Sequence, residues 1–99
     1  MSEHQATQTI TLEPEFTFDH HNTFRRSVQD ALEQGARTIL LDFSHVHFMD
    51  SAALGMLRVA QTDAEEKGAV LELKGVKGYV AEILRVVKYD DVFTIHFAE

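Results

Sequence analysis

Polar and apolar residues alternate near the start of the chain, and then the period changes. Thr9-Ile10-Thr11-Leu12 alternates as a half-buried strand does, Pro14 interrupts, and Glu15-Phe16-Thr17-Phe18 alternates again. This predicts two short edge strands, or one broken at the proline, which cannot donate to a ladder. Residues 1–7 show no such order and are expected to be a flexible tail, leaving 8–99 as one domain. From Phe24 the spacing becomes helical through Val28, Ala31 and Leu32, with Arg25, Arg26, Gln29, Asp30 and Glu33 on the solvent side. Asp19 reads as the N-cap of that helix and Gly35 as its stop.

Residues 38–43, Thr-Ile-Leu-Leu-Asp-Phe, form a nearly continuous apolar run, the pattern of a central strand covered on both faces. After a connector, residues 44–49, a helix is expected from about Ala52 to Lys67. Ala53, Leu57, Ala60 and Ala64 give it a core stripe, Met56 widens the stripe, and Gly68 ends it. A strand follows over Ala69–Leu73, then a turn around Val76–Gly78. Val80, Ile83, Leu84 and Val87 predict a third, short helix, and Val92–Phe97 a last strand. The order β-β-α-β-α-β-α-β makes the fold class α/β. Strands separated by helices imply a mixed, mostly parallel sheet with helices mainly on one face.

Composition narrows the possibilities. A hydrophobic fraction of 44% and a charged fraction of 25% are ordinary for a globular domain. With no cysteine, disulfides, thiolate catalysis and cysteine-held metals are excluded. The net charge of −7 argues against nucleic acid and favours encounter with a basic protein surface. The polar N-terminus has no apolar signal-peptide core, and no run approaches the roughly 20 apolar residues that span a bilayer. A cytoplasmic protein without membrane insertion is expected.

The chemistry concentrates at Asp50-Ser51-Ala52-Ala53-Leu54-Gly55. A serine at a helix start can cap it, with Asp50 adding charge near the positive end of the dipole. It can equally carry a phosphate, which free backbone N–H groups and the dipole tolerate. Other signals are weaker. His45 and His47 flank this region and would share a side in an extended stretch, which suggests partner contact or pH sensitivity. No His-Glu-x-x-His spacing supports a metal. Ser51 lacks the Gly-x-Ser-x-Gly elbow of a hydrolase, and Gly75-Val76-Lys77-Gly78 is too sparse for a phosphate loop. No cofactor is expected, and nothing points to an enzyme.

Four stretches carry a family resemblance. Ile39-Leu40-Leu41-Asp42-Phe43-Ser44, followed by Phe48-Met49-Asp50-Ser51-Ala52-Ala53-Leu54-Gly55, resembles the STAS domain family, named for sulfate transporters and anti-sigma factor antagonists. Val70–Val76 and Asp91–Ile95 resemble that family's last two strands. The similarity spans about residues 9–97 and is nearest to the free-standing bacterial antagonists. In those proteins a serine after an aspartate is phosphorylated by an anti-sigma factor that is also a kinase, of the histidine-kinase-like ATPase fold. A PP2C-type phosphatase removes the phosphate. Ser51 and Asp50 hold the matching positions, and Asp19 matches a site near the partner surface. Ala52 replaces a usual serine, and Ala53 replaces a usual glycine and stiffens the first turn. The glycine-containing turn usual between the first two strands is absent.

The resemblance implies a partner switch at Ser51. A phosphate adds about −1.5 to −2 charge, and a partner packed on the helix would have to bury it beside Asp50. Asp19, Asp50, Ser51, Ala52, Leu54, Met56 and Arg58 are the expected partner-contact residues, with Arg58 at the edge of an apolar patch. The output could be a sigma factor, or a biofilm or motility pathway. The alternative within the same family is a cytoplasmic accessory subunit of a lipid-transporting ABC complex, docked permanently through the same helix.

Overall fold

In chain order the computed structural model, which describes residues 6–98, runs β1 (Thr7–Thr11), β2 (Glu15–Phe16), α1 (His21–Glu33), β3 (Thr38–Asp42), β4 (Phe48–Met49), α2 (Ser51–Glu66), β5 (Val70–Val76), α3 (Gly78–Val86) and β6 (Thr94–Phe97). The main sheet has the order β1-β3-β5-β6. The class is α/β. The sheet expected to be mixed and mostly parallel is parallel at every ladder among the described residues. One strand was not legible. β4 lies inside the expected connector and pairs with β2 in a separate parallel ladder of two residues. The strand expected before the proline begins at Thr7, the last residue assigned to the tail. Residues 1–5 of that tail lie outside the described residues.

The registers bring Ile10, Leu41, Leu73 and Ile95 into one row across the sheet. Successive side chains alternate faces, so the next row is Thr9, Leu40, Glu72 and Thr94. The first row joins the core, which also takes in Phe24 and Val28 of α1, Leu57 and Ala60 of α2, and Val80 and Leu84 of α3. Helices thus cover one face. This corrects the reading of residues 38–43: Ile39 and Leu41 are buried, whereas Thr38, Leu40 and Asp42 on the other face are only half-buried. A leucine at 40 made the run look continuous, but no helix among the described residues covers it.

α1 and α2 end alike. The Ala36 N–H donates to the Ala31 carbonyl and the Gly35 N–H to the Leu32 carbonyl; Ala69 to Ala64 and Gly68 to Glu65 repeat the pattern. These are Schellman caps, whose left-handed residue is the glycine at φ +90° and +74°. Both stops were legible as glycines. The start of α1 was not. Asp19 is no N-cap: it sits within a 3-10 turn, Phe18–His20, and the residue before the helix, His20, makes no side-chain cap bond. β5 also runs three residues past its expected end, to Val76. Gly75, at φ +72°, bends it where its pairing with β6 slips, and a Cβ there would lie 3.1 Å from Ser44.

Candidate modification and docking site

The segment that leads into α2 is held by backbone hydrogen bonds rather than by a long strand. The Ser44 N–H donates to Asp42 Oδ1 at 2.9 Å, closing a side-chain turn at the end of β3. That bond, helped by Lys74 and His45 and opposed by partial burial, holds the Asp42 carboxyl below its usual range. The Val46 N–H donates to the Phe43 carbonyl and the His47 N–H to the Pro14 carbonyl, both at 2.9 Å. Val46 and Met49 point into the core, so His45 and His47 are exposed on either side of Val46. Among the described residues no three His, Asp or Glu side chains are placed to hold a metal.

Asp50 is the pivot. Its backbone is extended, and its Oδ1 accepts the Ala53 N–H at 3.0 Å. That is an N-cap bond. Its Oδ2 accepts the Phe18 N–H at 3.1 Å, tying the 3-10 turn before α1 to the start of α2. The cap therefore belongs to Asp50, which overturns the reading in which Ser51 merely caps the helix. Ser51 is the first residue of α2 and is exposed. Its hydroxyl stands at the positive end of the helix dipole, beside one carboxylate that is already engaged.

Beside this start lies an apolar groove of about 330 Å³ between α1 and α2. Phe18, His21 and Arg25 form one wall, and Gly55, Met56 and Val59 the other. The Phe18 and His21 rings stack at 4.0 Å between centroids, 9° from parallel. His21 Nδ1 lies 2.7 Å from the Phe18 carbonyl, an oxygen that can only accept, so the bond fixes the proton on Nδ1. Phe18 is 55% exposed and Val59 47%. Of the expected contact residues, Ala52 and Met56 line the groove. Leu54 turns away and packs against the core, and its carbonyl accepts the Tyr89 O–H at 2.9 Å. Arg58 is exposed, and Asp19 is exposed but outside the groove lining. The sequence reading missed the contribution of Phe18, His21 and Arg25. Its helical spacing carried Phe24 inward, yet Phe18 was assigned to a strand. No helix among the described residues is long and apolar enough to cross a membrane.

Comparison with known proteins agrees with this fold. A sequence model described as "Mlab, STAS domain" matches residues 1–95. A STAS-domain containing protein of Pseudomonas aeruginosa (strain UCBPP-PA14) is 31% identical over 90 residues, covering 88% of this chain and 85% of the relative. In three dimensions, a sulfate transporter family protein from Wolinella succinogenes superposes with a TM-score of 0.80 at 19% identity, over 93% of this chain and 76% of that one. The Bacillus cell fate determinant SpoIIAA in its phosphorylated form gives 0.72 at 20% identity, over 96% and 85%.

Proposed function

The chain belongs to the STAS domain family, and on that premise we propose that it is a non-enzymatic, cytoplasmic partner-switching regulator of the anti-sigma factor antagonist type. With Ser51 free it binds a serine kinase of the histidine-kinase-like ATPase fold; phosphorylation of Ser51 releases that partner, and a PP2C-type phosphatase resets it. One observation carries the reading. Asp50 makes the cap bond and leaves the Ser51 hydroxyl exposed at the helix start. A phosphate there would cost the fold no cap, but it would place a second anion beside Asp50 under any docked surface. Such like-charge burial costs several kcal/mol, and about 1.4 kcal/mol is tenfold in affinity. Affinity is therefore expected to fall by about a hundredfold or more on phosphorylation.

The test is affinity capture from native cytoplasm with wild type, Ser51→Ala and Ser51→Asp as baits, followed by phosphorylation with the captured kinase. Retention by wild type and Ser51→Ala, loss by Ser51→Asp, and phosphate on Ser51 alone uphold the switch. A second reading rests on the groove, whose lining does not include Ser51. A permanently docked accessory subunit of a lipid-transporting ABC complex would use it constitutively. All three baits would then retain the same ATPase or permease subunits.

A further inference from the structure

Gly55 has no role inside this fold. It lies in the second turn of α2, is exposed, and an added Cβ would meet nothing within 4 Å. Its backbone is ordinary helix, since it lies within α2 and is not among the four glycines with positive φ. A glycine in such a place weakens the helix relative to alanine, with no internal compensation. What a missing Cβ does supply is room for another backbone to come close. Gly55 also stands at the edge of the apolar groove, one turn along from Ser51.

The charges around it select the visitor. Ser51, Gly55 and Arg58 follow i, i+4, i+7 and so share one face of α2. Arg58 is exposed and in no ion pair among the described residues. Across the groove stands Arg25, its Nε 3.5 Å from Asp63 and its side chain mostly exposed. No carboxylate lines the groove, although the chain as a whole carries −7. The groove lining itself thus carries no negative charge, in an otherwise acidic molecule.

We propose that a partner helix lies across Gly55, seating an apolar side chain between Phe18 and Met56 and presenting carboxylates to Arg25 and Arg58. The inference rests on the proposed switch for the identity of the partner, but not for the groove itself. It also gives the switch a local cause. A phosphate on Ser51 would face an acidic helix on the same stripe, so repulsion comes from the partner as well as from Asp50.

The experiment uses the full chain in cells of its source organism, with the photoreactive residue benzoylphenylalanine at Val59, and at Val86 on α3 as a control. The expected result is a protein adduct from position 59, absent from position 86. Its cross-linked peptide should map to an amphipathic helix with carboxylates flanking an apolar residue. Gly55→Leu and Arg58→Glu, each added in turn, should cut the adduct at least tenfold. Purified Gly55→Ala should unfold about 2–8 °C higher than wild type, and Gly55→Leu no lower, so lost binding is not lost folding. The proposal is overturned if neither substitution changes the adduct, if the adduct is a second copy of this chain or a lipid-sized molecule, or if none forms. Ser51→Asp in the same background separates the two ideas. An adduct lost with Ser51→Asp but kept with Gly55→Leu upholds the switch and overturns the groove. The reverse upholds the groove and overturns the switch.

Discussion

Each oxygen of the Asp50 carboxylate accepts a different backbone N–H, one from Ala53 in its own helix and one from Phe18, 32 residues earlier. Removing it leaves a helix donor uncapped and frees the turn that walls the groove. Asp50→Ala is expected to cost about 1–2 kcal/mol. Asp50→Asn should fall between, because an amide offers one oxygen where the carboxylate offers two. Urea unfolding checks this as a shift in midpoint at constant slope; a wild-type midpoint for Asp50→Ala would deny the cap. Asp42 gives the pH dependence. Its carboxyl is held low in the folded state, first by the Ser44 N–H, so the folded state favours the charged form. The stability this supplies is present above the unfolded pKa and is lost as pH falls through the lower, folded one. Asp42→Asn keeps an acceptor for Ser44 but does not titrate. The stability difference between wild type and Asp42→Asn should therefore narrow as pH drops from about 5 to 2, measured by urea titration at each pH.

At the end of α3 the chain uses Lys88 where α1 and α2 use glycine. Lys88 sits at φ 62°, ψ 34°, the left-handed region that a side chain disfavours. Lys88→Gly is expected to stabilise by about 0.5–1 kcal/mol, the strain relief exceeding the added freedom of the unfolded chain, and to raise Tm by about 2–8 °C in calorimetry. The same element shows what a sequence can and cannot disclose. Glycine at 35 and 68 announced two helix ends because φ is positive there. Lysine at 88 announced nothing. Long elements with strong periodicity, such as α2 with Ala53, Leu57, Ala60 and Ala64 inward, were legible nearly to the residue. Of the two-residue strands, β2 falls inside the alternation expected over Glu15–Phe18, whereas β4 was not legible, because two residues inside a connector carry no period; only its pairing with β2 defines it. Asp19 was misplaced for a related reason. A cap residue is recognised by the helical periodicity that begins just after it, and a 3-10 turn ahead of the helix shifts the frame. At the site, Ser51 and Asp50 were legible as a pair, but which one caps depends on φ and ψ at Asp50. The groove was legible only by halves, since its two walls are some 30 residues apart in the chain.

At the scale of the molecule, the main sheet carries α1, α2 and α3 on one side, and the floor of the groove, Phe24, Val28 and Ala60, is part of the core they cover. Phe16 shows the link most directly. It belongs to the short β2–β4 ladder, is fully buried, and meets Phe24 of α1 edge-on at 5.0 Å and Phe43, just past β3, at 6.1 Å. One ring thus joins the second ladder, the helix behind the groove and the end of the main sheet. Phe16→Ala is expected to cost about 3–5 kcal/mol. Domains of this size hold roughly 5–15 kcal/mol, so the variant should remain folded but marginal. Tyr79→Ala, at an aromatic 55% exposed on α3, should change stability by less than about 0.5 kcal/mol. Denaturant midpoints would measure both. Amide hydrogen exchange then asks whether the site opens by itself. The Phe18 and Ala53 N–H groups are the two that Asp50 holds. If the groove wall and the helix start belong to the global cooperative unit, Phe16→Ala should lower their protection by the full loss of stability, as is expected for Leu41 and Leu73 in the sheet. If those two amides keep wild-type exchange while the sheet amides speed up, the site opens by local unfolding. Under the proposed switch, partner release would then proceed without disturbing the core.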